Sequence, residues 1–228
     1  MPRTARTAPG GMIFHVLNRR VGRQAMFLKD DDFSAFEQAM DHALHDVPIG
    51  LLAYCLMPNH WHLLLAPSSD GDLGRFMQRL TITHTRRWKE HYHEVGHGHL
   101  YQGRFKSFPV QDDAHFLTVA RYVERNPLRA KLVERAQEWR WSSLGRRLGP
   151  GGDATGPPLP LASWPVQQPL DWLMWVNAPQ TALEVESLRV SVNKGKPFGG
   201  RQWQDAVTLA LGLQSSHRKA GRPRKTES

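Results

Sequence analysis

The chain has 228 residues, a formal net charge of +9 and a sequence pI near 10.1, enough for one good core plus an appendage. Such a balance favours an acidic polymer as partner, nucleic acid before an anionic membrane surface, although a basic soluble protein can carry the same excess. No apolar stretch approaches the ~18 residues of a membrane span, the opening MPRTARTAPGG lacks the apolar run of a secretory leader, and the single cysteine, Cys55, can close no internal disulfide; all three point to the reducing cytoplasm.

Met12 to Asn18 reads as a strand. Asp30–Asp32 supply acidic helix-start signals, and Phe33, Phe36, Met40, Ala43 and Leu44 follow at helical spacing until Pro48 closes the run. Ile49 to Met57 is a second strand, Pro58-Asn59 a turn, and His60 to Ala66 a third strand antiparallel to the second. After SSDGD, Leu73, Phe76, Met77, Leu80 and Trp88 mark a long second helix whose other side carries Arg75, Arg79, Arg86 and Lys89. Phe105 to Val110 makes a fourth strand. Asp112-Asp113 start a third helix that runs to about Arg125 and ends at Pro127. This β-α-β-β-α-β-α order predicts an α+β, ferredoxin-like antiparallel sheet with two helices on one face, closed by Trp139 and Trp141. Residues 1–148 form the first domain and 149–160, GPGGDATGPPLP, a linker. A helical C-terminal extension follows over 161–214, with helices near Gln180 to Val192 and around Trp203, Val207, Ala210 and Leu211. Residues 215–228 form a polar, basic tail, disordered when free.

The most informative segment is MPNHWHLLLA, residues 57–66. On a strand, residues i and i+2 share a face, so His60 and His62 stand side by side while Trp61 turns into packing. Two neutral imidazoles on a rigid element make half a metal site. The spacing alone is common in a chain with 12 histidines, and most such pairs are surface or satisfied core residues. His91–His93 and His97–His99 have it too, in a stretch that Gly96 and Gly98 mark as a loop, where a zinc site is a second option. On the third helix Tyr122 and Asn126 are four apart and share a face, with His115 and Thr118 near it. Phe116, Leu117, Ala120 and Val123 lie largely on the other side, which puts Tyr122 on the polar flank. There it is either an ordinary boundary residue or a nucleophile whose oxygen attacks a phosphodiester, helped by a divalent ion on His60 and His62 with Asn126 as a third ligand.

MPNHWHLLL, GHLYQGRFKSFPV, RYVERNPLRAKLV and EWRWSS together resemble the single-tyrosine HUH transposases, and most closely their REP-associated tyrosine transposase branch. The likeness extends into VNAPQT, KGKPFG and the terminal GRPRK. It implies an HUH endonuclease core and a metal-dependent endonuclease and strand transferase acting on single-stranded DNA, specifically on hairpins of REP elements. His60, His62 and Asn126 would hold Mg²⁺ or Mn²⁺, and Tyr122 would form a 5′-phosphotyrosine link. Related insertion-sequence enzymes commonly place glutamine where Asn126 stands, and tryptophan is common where Tyr101 stands. The branch implies a monomeric, nucleoid-associated bacterial protein with no membrane partner.

Arg75, Arg79 and Arg86 form a basic stripe suited to phosphates or simply to solvent, and Gln102, Arg104 and Lys106 can reach the scissile phosphate or flanking bases. Arg222-Pro223-Arg224 resembles the core of a minor-groove AT-hook, or is a basic tail with general phosphate affinity. Two other functions fit the same residues: a hairpin-binding regulator without catalysis, and a metal-dependent phosphodiesterase that uses water, with Tyr122 structural.

Overall fold

The computed structural model describes residues 7–148 and 159–214. Four strands, β1 (Ile13–Arg19), β2 (Ile49–Met57), β3 (His60–Pro67) and β4 (Lys106–Val110), form one sheet in the order β2-β3-β1-β4. Every neighbouring pair is antiparallel. The helices α1 (Asp30–Asp46) and α2 (Asp72–His91) connect them, and α3 (Ala114–Glu124) follows β4. The expected α+β, ferredoxin-like order is therefore present, and β3, which carries the paired histidines, is central.

Strand alternation sorts the sheet into two cores. Phe14, Val16, Trp61, Leu63 and Leu65 pack under Phe33, Phe36 and Met40 of α1 and Phe76, Met77 and Leu80 of α2. Full burial of side chains of this size contributes about 1.5–3 kcal/mol each, so the pairing register is firmly set. On the opposite face Ile13, Ala53, Cys55, Leu64 and Phe108 pack with Phe116, Val119 and Val123 of α3. The register slips between Leu51 and Ala53, and this bulge lets Leu51 join the first core and both Leu52 and Ala53 the second. Cys55 is the small buried residue the sequence implied; burial pushes its thiol well above the usual range.

Past α3, Arg125 caps the helix and a single turn, α4 (Asn126–Arg129), begins at once. Pro127 sits in its first turn, where the missing N–H costs nothing. A five-residue helix, α5 (Ser143–Arg147), then leads out of the described part of the first half. The chain resumes with α6 (Trp172–Asn177), α7 (Ala182–Lys194) and α8 (Arg201–Ala210). Thr181 and Glu184 cap α7 reciprocally, and Gly195, at φ 69°, ends it in the left-handed conformation that glycine adopts without strain.

These later elements cover what the sheet leaves open. Leu161 bridges Leu51 and Ser142 bridges Cys55 on the β2 side, while Phe198 bridges Val110 on the β4 side, so both edges are partly protected. Trp172, Val176 and Leu188 join the second core over α3. That corrects one expectation: Tyr122 is a core residue, not a polar-flank one. Helix α3 lies between the sheet and the C-terminal segment and is covered on both sides, so a one-sided amphipathic pattern does not describe it. Among the described residues no helix is long and apolar enough to cross a membrane. Arg222, Arg224 and the rest of the basic tail lie outside the described residues, as do residues 149–158 of the linker.

Candidate active site

The β2–β3 hairpin fixes the first half of the site. Its turn is pinned from outside: Met26 N and Phe27 N both donate to the Pro58 carbonyl, and Asn59 Nδ2 donates to the Arg23 carbonyl. His60 and His62 emerge from β3 with ring centroids 5.0 Å apart. Burial, and then the neighbouring Arg19 and Arg129 charges, lower the His60 pKa to about 4. His62 is driven well below its ordinary value, first by burial. Both rings are thus neutral at physiological pH.

Each ring is also oriented through Nδ1. His60 Nδ1 is 2.6 Å from Asn59 Oδ1, an acceptor, so this nitrogen carries the proton and Nε2 keeps its lone pair. His62 Nδ1 is 2.9 Å from His15 Nε2, and the two rings stack with centroids 5.0 Å apart. When His62 donates in that bond, its Nε2 too is left as a lone pair. Two neutral imidazoles with Nδ1 engaged and Nε2 available fit a divalent cation, which accepts nitrogen donors oriented by such outer partners. Among the described residues no group of three or more His, Cys, Asp or Glu is placed to hold a metal, the His91–His99 loop included. The pair would therefore hold an ion with help from other oxygens.

Helix α3 brings Tyr122 onto this pair. Its ring stands perpendicular to His62 at 5.9 Å and to His15 at 6.4 Å. The Arg129 guanidinium lies 4.0 Å from the ring centroid on α4. Tyr122 is 7 % exposed, His62 3 % and Asn126 5 %. Among the described residues nothing bonds the Tyr122 hydroxyl, and its oxygen is not one of the fully buried unpaired atoms, so the ring is packed while the oxygen reaches the surface. Asn126 lies in the same corner, where its Oδ1 accepts from Arg129 Nη2 at 2.8 Å. His115 is bonded instead to Asp113 at the start of α3.

The remaining candidate residues fall into two groups. Lys106 pairs with Leu17 across the sheet, and Leu17 pairs with His62, so Lys106 shares the histidine face. Gln102, Arg104 and Lys106, with Asn18, line a cleft of about 270 Å³ closed by Asn193 of α7. Arg19 lines the same cleft and is the direct cross-strand partner of His60. The sequence reading missed it, although strand parity from His15 through Leu17 points to it. By contrast Arg75, Arg79 and Arg86 lie on α2, over the opposite face of the sheet, and each is paired, with Asp72, Asp46 and Glu90 respectively. Tyr101 also belongs to that side: it receives the Trp61 indole N–H at 3.2 Å and meets His84 Nδ1 at 2.7 Å.

Comparison with known proteins adds to this geometry. Residues 10–126 match the family model described as transposase, IS200-like. That span begins just before β1 and ends on Asn126, so it contains His60, His62 and Tyr122. A curated Haemophilus influenzae protein named as a REP-associated tyrosine transposase is 27 % identical over 151 residues, covering 60 % of this chain and 81 % of its own. Among solved structures, a REP-associated tyrosine transposase bound to a REP hairpin superposes with a TM-score of 0.54 at 20 % identity. The match spans 72 % of this chain and 93 % of that one, a likeness of fold.

Proposed function

Because this chain belongs to the IS200-like transposase family, we propose that it is a metal-dependent endonuclease and strand transferase acting on single-stranded DNA at hairpins of the REP type, with Tyr122 as nucleophile. The observation that carries the reading is the position of Tyr122: a packed ring whose hydroxyl bonds none of the described residues, set edge-on against the inner imidazole of a neutral, oriented pair. The relatives' printed names supply the substrate class.

In the first step the Tyr122 oxygen bonds to phosphorus as the bond to the 3′-oxygen breaks. The phenol proton is lost, the departing oxygen takes one up as a 3′-hydroxyl, and the 5′ side stays on the protein as a phosphotyrosine. In the second step a 3′-hydroxyl attacks that link and expels Tyr122. One phosphate ester is exchanged for another each time, so no nucleotide cofactor is needed. A divalent ion held by His60 and His62 would polarise the phosphate and stabilise charge on the departing oxygen. Arg19, Arg104 and Lys106 line the cleft beside His60 and suit the flanking phosphates. A phenoxide leaves phosphorus more readily than an alkoxide, which keeps the second step accessible.

The test is a labelled hairpin oligonucleotide with a single-stranded foot, incubated with the protein and Mg²⁺ or Mn²⁺. A protein–DNA species that survives denaturation and disappears in Tyr122→Phe supports the reading. Normal cleavage by Tyr122→Phe supports a water-using phosphodiesterase instead, and tight binding with no cleavage under either metal supports a hairpin-binding regulator.

A further inference from the structure

We infer that Arg129 and the side-chain amide of Asn126 together form an oxyanion subsite that holds the scissile phosphate against Tyr122. The inference rests on the transesterification reading above and gives Asn126 a role different from metal ligation.

Two donors in this corner lack an acceptor. Arg129 Nη1 and Asn126 Nδ2 are both buried with no hydrogen-bond partner. The other buried guanidinium nitrogens without a partner among the described residues, on Arg20, Arg121, Arg140 and Arg147, are all Nε atoms. Among the described residues, Arg129 is the one arginine whose buried unpaired nitrogen is a terminal one. Its other terminal nitrogen is fixed on Asn126 Oδ1 at 2.8 Å, and its guanidinium carbon is 4.0 Å from the Tyr122 ring centroid. No carboxylate neutralises it: among the described residues it makes no salt bridge, and the nearby Glu124 is committed to Ser143 at 2.6 Å and Trp172 at 2.8 Å.

Buried N–H groups are almost always paired, and a charged one left open implies an acceptor that arrives with a ligand. Two adjacent open donors, one cationic, next to a nucleophile call for an anion with at least two oxygens. The non-bridging oxygens of a phosphodiester meet that description, and the planar guanidinium fork matches them. The same bond works against Asn126 as a metal ligand. Its carbonyl spends one of its two lone pairs on a guanidinium, which competes with a cation for that oxygen, and the atom left without any partner is the donor Nδ2. In this assignment, as the Tyr122 oxygen closes on phosphorus and the 3′-oxygen departs, the charge that builds on the phosphate oxygens is met by these two donors. Arg129 therefore touches the reacting phosphate in this assignment.

The experiment uses a panel of REP-type hairpin oligonucleotides, each with one methylphosphonate in the single-stranded foot, which removes the charge of one phosphate at a time. Binding to the full chain is read by fluorescence anisotropy without metal. In wild type, neutralising one particular phosphate should weaken binding by about tenfold, the size of a lost charge-assisted bond. In Arg129→Gln, which keeps an amide to bond Asn126, that penalty should vanish while those at other positions persist. Arg129→Lys, charged but without the fork, should restore part of it, a pattern that general misfolding does not give. Single-turnover adduct formation should fall about 100-fold in Arg129→Gln. Identical methylphosphonate profiles for wild type and Arg129→Gln would overturn the subsite. A tenfold loss of Mn²⁺ affinity in Asn126→Ala, matching that in His60→Ala, would overturn the assignment of Asn126. Absence of any adduct from wild type would sink the transesterification reading separately, leaving the binding profiles to decide the subsite.

Discussion

Replacing Tyr122 by phenylalanine should separate chemistry from stability, because the chain contains its own control. Tyr54, fully buried on β2, donates its hydroxyl to Glu37 Oε1 at 2.7 Å and accepts from Arg146 Nε at 2.6 Å. Tyr54→Phe removes both bonds and leaves a buried carboxylate and a guanidinium each one partner short. With about 1.5–3 kcal/mol for each hydrogen bond to a charged group, the loss of both should be about 3–6 kcal/mol. For a chain of this size that is a fall in Tm of roughly 6–24 °C. Tyr122→Phe keeps the ring, its edge contact with His62 and the guanidinium over its face. Since its hydroxyl has no bond to lose, the change in stability should stay within about 0.5 kcal/mol. Thermal unfolding of the two variants and a denaturing gel of the covalent adduct check both halves. The reasoning is refuted if Tyr122→Phe loses as much stability as Tyr54→Phe, or if it still forms the adduct.

Three further outcomes are expected. His15 and His84 are both buried with pKa values lowered to about 3, against 6.5 for the free side chain. The folded state then holds fewer protons than the unfolded one, so their contribution is complete above pH 6.5 and is lost as pH falls towards 3, by up to about 1.4 kcal/mol per pH unit for each group. Glu37 and Glu124, raised by burial, act in the opposite sense above pH 4.5. Urea midpoints across pH 3.5–7 should show the histidine slope, and His84→Gln should flatten it; an unchanged slope would contradict the burial argument. Arg125 Nη1 donates to the carbonyls of Val176 and Asn177 at 2.8 and 2.6 Å. Arg125→Ala should raise amide exchange in α6 and leave α1 unaffected; equal rises in both would mean that the arginine supports the whole fold. Finally, Arg19→Ala, Arg104→Ala and Lys106→Ala should each lower the salt slope of hairpin binding by about 0.7. Arg79→Ala and Arg86→Ala, on the far layer, should not, and the reverse result would place the DNA on α2.

Much of the fold is written locally. The alternation in residues 49–66 and the helical spacing of Phe33, Phe36 and Met40 depend only on which side chains avoid water, so element type and order follow from the sequence. The pairing of His60 with His62 on one face is just as local, since it needs only a strand. Tyr122 was legible as a candidate through its motif, but its burial was not. A pattern analysis assumes one packed side per helix, and α3 has two because residues 159–214 fold back over it. The bulge at Leu52, which assigns neighbouring residues to opposite cores, left no signal in composition.

What the sequence by itself determined is therefore the set of elements, their order and the residue types of the candidate site. Tertiary structure alone decided which of them meet. The two basic groups look alike in sequence, yet Arg19 and Lys106 share the histidine face through strand register while Arg75 and Arg79 sit on the layer behind it. His15, distant in sequence, orients His62, and Arg129 covers the Tyr122 ring. Both are contacts between separate segments, set by the sheet pairing and the turn after α3, and a local pattern carries no information about which distant partner a side chain will find.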